Sequence, residues 1–310
     1  MINVHLDTVG GPPEAFEVQA AEDRIHGRGV LDTKGGLAAA LLAAASIEPD
    51  DLPGDIVIAA VCDEEADSIG TSHLLLNWHP DAAIIIEPTD LRIVAGHRGF
   101  GILDVTYLGR AAHTGHREEG VNAIDSAVRL VADLASLERS LSERPVAPLF
   151  GAPSMQVTRI EGGTELFTVP DRCTTTVEIR TVPGHHEADM EAMVDVVEAR
   201  RADGVECRIE WLIRRPPFST DVDDRLVHTT TAGLESSGRS AEIVGAPFWT
   251  DAALFSSVAV PAVVMGPGGH GIHSVDEWVF IDDLVAARDV LRHAMTNFAA
   301  PQSPESGEPK

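Results

Sequence analysis

The chain has 310 residues, 44% of them hydrophobic, and a formal net charge of −26. That length can bury a substantial core and suits one large or two ordinary domains, while so negative a field repels nucleic acid and anionic membrane surfaces and excludes both as partners. No apolar run reaches the roughly 18 residues that cross a bilayer, and Met1-Ile2-Asn3-Val4-His5 lacks the basic stretch and apolar core of a secretory leader.

Taken in order, Val4 ends a short strand, and Leu37 to Ser46 read as an Ala/Leu-rich helix after Gly35-Gly36. Asp55 to Val61 is a continuous apolar run, read as a buried strand that delivers Asp63-Glu64-Glu65. Ser68 opens a helix through Trp78, and Ala82 to Ile86 form a second buried strand that delivers Glu87. Such strands alternating with helices predict an α/β layer, with a mostly parallel sheet flanked by helices.

From about His97 the pattern changes. Gly101 to Leu108 alternates as a half-buried strand, and Asn122 to Leu137 is an amphipathic helix. Ser154 to Ile160 and Arg172 to Thr181 read as strands meeting around Gly162-Gly163, followed by a helix from Glu187 to Ala199 and a strand from Val205 to Ile213. That order predicts an inserted ferredoxin-like α+β domain. After Arg214-Arg215-Pro216-Pro217 the first pattern resumes, with a helix from Leu226 to Ser236, a strand from Ala262 to Met265 and a helix from Asp282 to Phe298. The expected domains are therefore a discontinuous one over 1–96 and 215–310 and an inserted one over 97–214. The Pro/Ser/Glu-rich tail, 299–310, is expected to be disordered.

Two compositional details bear on setting. Lys34 and Lys310 are the only lysines, and acid is spread along the whole chain, which we read as adaptation to high salt. The alternative is an acidic mesophilic protein from a GC-rich genome. Cys62, Cys173 and Cys207 are odd in number and widely spaced, so they predict neither a disulfide framework nor a thiolate metal site, and a reducing, cytoplasmic location is expected.

Candidate chemistry lies where strands end. His5 and Asp7 occur in Val-His-Leu-Asp-Thr, and Asp32 in Gly-Val-Leu-Asp-Thr-Lys-Gly-Gly. Glu64 and Glu65 follow Asp63, Glu87 precedes Pro-Thr, and His273 lies in Gly-Ile-His-Ser. Singly, each has a bland reading: a surface pair, a solvated acidic face, or a helix cap. Jointly they are the carboxylates and imidazoles that a pair of cations about 3.5–4 Å apart requires, with a spare carboxylate to take a proton from water.

Through these motifs, from about His5 to about Leu291, the chain resembles the co-catalytic zinc peptidases and amidohydrolases. That family includes acetylornithine deacetylase, succinyl-diaminopimelate desuccinylase, aminoacylase and glutamate carboxypeptidase. The resemblance implies two divalent metal ions, zinc with cobalt or manganese as alternatives. His5 and Glu87 would hold one, Glu65 and His273 the other, with Asp32 as the bridge. It implies Glu64 as general base and Asp7 as the partner that orients the His5 ring. It further implies an inserted domain that acts as lid and dimer interface. From that domain His113, in Ala-Ala-His-Thr-Gly, would stabilise an oxyanion across a homodimer. Arg180 would grip a substrate carboxylate, and Gly268, in Gly-Pro-Gly-Gly, would offer a backbone N–H. The implied activity is hydrolysis of a linear amide, with an N-acyl amino acid or short peptide as substrate and acetylornithine as the leading example.

Two departures qualify the resemblance. Family members carry an asparagine where this chain has Phe167, before Thr168-Val169-Pro170, which points to a different or more apolar acyl group. They also carry a longer segment ahead of the His-x-Asp motif, where this chain has only Met1 to Val4. A misassigned start, a truncated gene or a remodelled sheet edge would each account for that. The alternative function is accordingly a catalytically silent, truncated homologue that acts as a dimerising or binding protein.

Overall fold

The computed structural model describes residues 1–145 and 149–299, so the expected tail lies, beyond Ala299, outside the described residues. The chain forms two compact units. One comprises Met1–Gly96, Ser219–Gly245 and the residues from Thr250 on; the other comprises His97–Phe218 and Ala246–Trp249.

The first unit is organised around a seven-stranded sheet. Its order is Phe218–Ser219, Ile93–His97, Ala262–Val264, Ala83–Ile85, Ile2–His5, Ile58–Val61, and Ile243–Ala246 joins Ile93–His97. Ile2–His5 pairs in parallel with Ile58–Val61 and with Ala83–Ile85, and Ala83–Ile85 pairs in parallel with Ala262–Val264. Ala262–Val264 pairs antiparallel with Ile93–His97. The sheet is therefore mixed: parallel, as expected, from Ile58–Val61 through to Ala262–Val264, and antiparallel where Ile93–His97 joins it. The sequence between Glu87 and Ile93 is too short for a crossover helix, so the chain turns back and its next strand runs the opposite way.

Alternation along the strands decides what each face carries. Val4, Ile84, Ile86 and Val263 join one apolar core with Ala39, Ala40 and Ala43 of the helix Gly35–Ala45. Val227 and Leu234 of the helix Arg225–Ser236, and Val290 and Leu291 of the helix Ile281–Asn297, complete it. Complete burial of each such Val or Leu contributes about 1.5–3 kcal/mol. Asn3 points the other way and donates from Nδ2 to Thr71 Oγ1 at 3.0 Å. Gly36 must be glycine, because a Cβ there would collide with Ile86 beside the strand end that carries Glu87. A small four-stranded sheet, in the order Gly269–His270, Trp278–Phe280, Arg24–His26, Gln19–Ala20, completes this unit.

The second unit runs strand–helix–strand–strand–helix–strand: Gly99–Leu108, Ala123–Ser142, Ser154–Gly162, Arg172–Thr181, His186–Ala199, Glu206–Arg215. All neighbouring strands are antiparallel, in the sheet order Glu206–Arg215, Gly99–Leu108, Arg172–Thr181, Ser154–Gly162. Leu103, Val105, Tyr107, Val177 and Ile179 meet Ala127, Leu130, Met190 and Met193 of the two helices. Asn122 caps the first helix, its Oδ1 accepting from Ile124 N at 2.9 Å. Trp249 joins this unit by donating its indole N–H to the Pro216 carbonyl at 2.9 Å.

Candidate metal centre

Within the first unit, the sheet ends and two loops bring the predicted ligands together. His5 is the last residue of its strand and only 1% exposed. Its Nε2 lies 2.9 Å from Asp32 Oδ1 and 3.8 Å from Glu87 Oε1. The other oxygen of Asp32, Oδ2, lies 3.1 Å from His273 Nε2. His273 Nε2 is also 3.1 and 3.0 Å from the two oxygens of Glu65. Ligand atoms of His5, Asp32 and Glu65 fall within 4.8 Å of one another, as do those of His5, Glu64 and Glu87. Asp32 thus faces two imidazoles with different oxygens.

Asp7 differs in detail from the expectation. The Nδ1 of His5 is 3.0 Å from the main-chain carbonyl of Asp7 and 3.7 Å from its Oδ1, so the carbonyl is the nearer acceptor for that ring nitrogen. The Asp7 carboxylate is used elsewhere, Oδ2 accepting from Glu65 N at 3.1 Å.

Electrostatics show what this cluster needs. The Glu64 carboxyl is pushed up to about 8 by burial and by the charge of Asp251, with His5 opposing and Asp32 and Glu65 adding to the rise. Burial, then Glu64 and Asp32, hold Glu87 well above the usual carboxylate range. For His5, burial would lower the pKa, but the hydrogen bond to Asp32 and the charges of Asp32, Glu64 and Asp7 outweigh it and raise the imidazole to about 9. Packed alone, these groups must hold protons to relieve their own repulsion. A divalent cation relieves the same repulsion, and imidazole nitrogen with carboxylate oxygen, free of thiolate, is a donor set of the zinc type. The residues fit a metal.

Two further residues belong to the centre and carried no legible signal. Glu277 is 1% exposed and accepts from Arg28 Nη1, Gly29 N and Leu31 N, each at 3.0 Å, and from Asp32 N at 3.2 Å. Asp251, also 1% exposed, accepts from Thr71 Oγ1, which itself accepts from Asn3. Burial raises the Asp251 carboxyl. Thr250-Asp251 before a helix reads as a cap, and Glu277 is one acid among many.

Gly268 requires a correction. Its N–H, expected to face substrate, donates to Asp283 Oδ2 at 3.1 Å, because the segment is pinned to the start of the last helix. His113 and Arg180 belong to the second unit. His113 Nδ1 accepts from Gly115 N at 3.0 Å, which places the neutral ring's proton on Nε2, and the side chain is exposed. Thr168 bridges to His113, and the Phe167 carbonyl accepts from Thr114 N at 3.0 Å, so the exposed Phe167 and His113 sit on adjoining segments. Arg180 pairs with Glu178 at 2.5 Å, and its guanidinium lies 4.7 Å from the Phe100 ring centroid.

With this geometry established, comparison with known proteins gives a consistent result. The profile of peptidase family M20/M25/M40 matches residues 1–297, and the chain belongs to that family. It is 28% identical over 293 residues to the acetylornithine deacetylase of Myxococcus xanthus, covering 92% of this chain and 75% of the relative. Among solved structures it is similar to aminopeptidase PepT from Bacillus cereus, at a TM-score of 0.82 and 21% identity, covering 96% of this chain and 80% of the other. The M20 family metallo-carboxypeptidase from Sulfolobus solfataricus is similar at a TM-score of 0.72 and 17% identity, covering 96% and 84%. These structural likenesses show the fold. No helix among the described residues is long and apolar enough to cross a membrane.

Proposed function

We propose that this member of the M20/M25/M40 family is a two-metal hydrolase of linear amide bonds. It would remove an N-acyl group from an amino acid or release a terminal residue from a short peptide. The observation that carries the reading is Asp32 between His5 and His273, one carboxylate oxygen to each. His5 and Glu87 would hold one divalent ion and Glu65 and His273 the other, with Asp32 shared. Zinc bound there supplies Lewis acidity towards the amide carbonyl and brings the pKa of water towards about 7.

Glu64 is the general base in this reading. It reaches the same space as His5 and Glu87 and is the chain neighbour of the ligand Glu65, a position suited to a carboxylate that takes a proton from water and hands it to the departing amine nitrogen. Asp7 holds the His5 ring nitrogen through its carbonyl and the Glu65 turn through its carboxylate. We further assign His113 of a second copy of the chain as donor to the developing oxyanion, for which its Nε2 proton is suited. Arg180 is assigned to a substrate carboxylate, a role that requires it to leave Glu178. The inserted unit then serves as lid and dimer interface.

N-acyl amino acids are the leading substrate class because the curated relative is an acetylornithine deacetylase. Dipeptides are the second. The deciding experiment is a hydrolysis screen of the zinc- or cobalt-loaded protein against N-acetyl-ornithine, N-succinyl-diaminopimelate, other N-acyl amino acids and dipeptides, at low and at multimolar salt. Turnover of none of them would sink the reading.

A further inference from the structure

We propose that Glu277 is a positioning residue of the metal centre. It holds the Asp32 carboxylate between His5 and His273, and loosening it weakens binding on the His273 side ahead of the His5 side. This inference rests on the two-ion reading above.

Glu277 has no free capacity. Its Oε2 accepts from Arg28 Nη1 and Gly29 N, and its Oε1 from Leu31 N and Asp32 N. Four donors on two oxygens fill a carboxylate. The pair with Arg28 is buried, the side chains 3% and 1% exposed, so neither charge is compensated by water. Three amides can converge on one carboxylate only where the chain bends tightly, and Gly29 supplies the bend with a φ of 80°. A Cβ at Gly29 would stand 2.7 Å from Thr8 Cγ2 and 2.8 Å from Lys34 Nζ. The loop that presents Asp32 is thus wound around Glu277.

The same residue anchors the other end of the centre. Its carbonyl accepts from Gly27 N at 3.0 Å, and the strand that follows it, Trp278–Phe280, pairs with Arg24–His26. Before it, a turn leads back to His273, closed by Ser274 N donating to the Gly271 carbonyl at 2.8 Å and Asp276 N to Ser274 Oγ at 3.2 Å. One side chain therefore joins the Asp32 loop to the His273 turn. The His5 side has independent support, since its strand is paired along both edges. The two sides also differ in exposure, 1% for the His5 side chain against 48% for His273. A loss at Glu277 should fall on the exposed, loop-borne side.

The test is a cobalt(II) titration of the metal-free full chain, followed by visible absorption and calorimetry, for wild type, Glu277→Gln and Glu277→Asp. Gln keeps the shape, but its NH2 end cannot accept from Arg28 and Gly29. Asp keeps the charge but withdraws it by one methylene from the Leu31 and Asp32 amides. Wild type should bind two ions, and each variant should bind the first with unchanged affinity and the second about 10–100-fold more weakly, with an altered second absorption step. Melting in chelator establishes that the variants fold, and where Gln does not, Asp decides. Unchanged binding of both ions, or equal weakening of both steps, overturns the proposal, because a general structural brace would not discriminate between them. Fewer than two ions on wild type overturns the two-ion reading itself, and the selective effect with it.

Discussion

Asp7 accepts the main-chain N–H of Glu65 at 3.1 Å, tying the strand end that carries His5 to the turn that carries Glu64 and Glu65. Its carbonyl, 3.0 Å from His5 Nδ1, is the nearest acceptor that would set the ring's orientation. The side chain is therefore a strut between two ligand-bearing segments.

That arrangement predicts an order among substitutions. Asp7→Ala removes the acceptor for Glu65 N and should cost about 10–100-fold in metal affinity or in kcat/KM. Asp7→Asn keeps an acceptor of the same reach and should cost less than the alanine variant. Parallel metal titrations and steady-state kinetics check this. Equal losses for the two variants would mean that the charge of Asp7, rather than its contact with Glu65, is what counts.

Glu64→Ala should fold, bind metal and turn over almost nothing. In the proposed mechanism Glu64 carries a proton and is not itself a ligand, so a loss in kcat of at least about 10²–10⁴-fold is expected. Elemental analysis alongside kinetics separates this from ligand loss. A variant that has shed its metal would place Glu64 among the ligands, whose atoms it adjoins in the His5–Glu64–Glu87 cluster.

Metal-free protein should lose stability as pH rises from about 5 to about 9. The Glu64 carboxyl rises from 4.5 unfolded to about 8 folded, and the His5 imidazole from 6.5 to about 9. Both raised values mean that the folded state binds more protons than the unfolded one across this window, so its advantage is complete only below the unfolded values and is lost as pH rises through about 8 for Glu64 and about 9 for His5. Saturating zinc takes over the role of those protons, and the stabilisation it confers should grow with pH. Melting temperatures with chelator and with zinc, at pH 5, 7 and 9, measure the gap. A gap that stays constant or narrows would contradict the charge balance described for the site.

Much of the centre was legible because its ligands follow short apolar runs that read as strands. Val4 before His5, Ile58–Val61 before Glu64 and Glu65, and Ala83–Ile85 before Glu87 announce strand ends in which carboxylates collect. The small sheet was not legible, since Gln19–Ala20 and Arg24–His26 are too short to show a period, and their partners lie at Gly269–His270 and Trp278–Phe280, far along the chain. Glu277 was invisible for a different reason. In a chain with 49 acidic residues one more glutamate carries no signal, and only the fold shows it closed over by Arg28 and three amides. The amide of Gly268 misled in the opposite sense, because a glycine-rich run beside a ligand suggests a cradle and here serves to dock Asp283.

The central claim is that Asp32 serves two cations at once, and counting ions per chain in wild type and in Asp32→Ala tests it most directly. The metal-free proteins, shown by melting to be folded, would be reloaded with zinc, freed of excess and measured by elemental analysis. Two ions per wild-type chain and the loss of at least one from the variant, with activity abolished, are the predicted results. Two ions retained by Asp32→Ala would contradict the bridge and reduce the 2.9 and 3.1 Å approaches of Asp32 to its two histidines to ordinary hydrogen bonds.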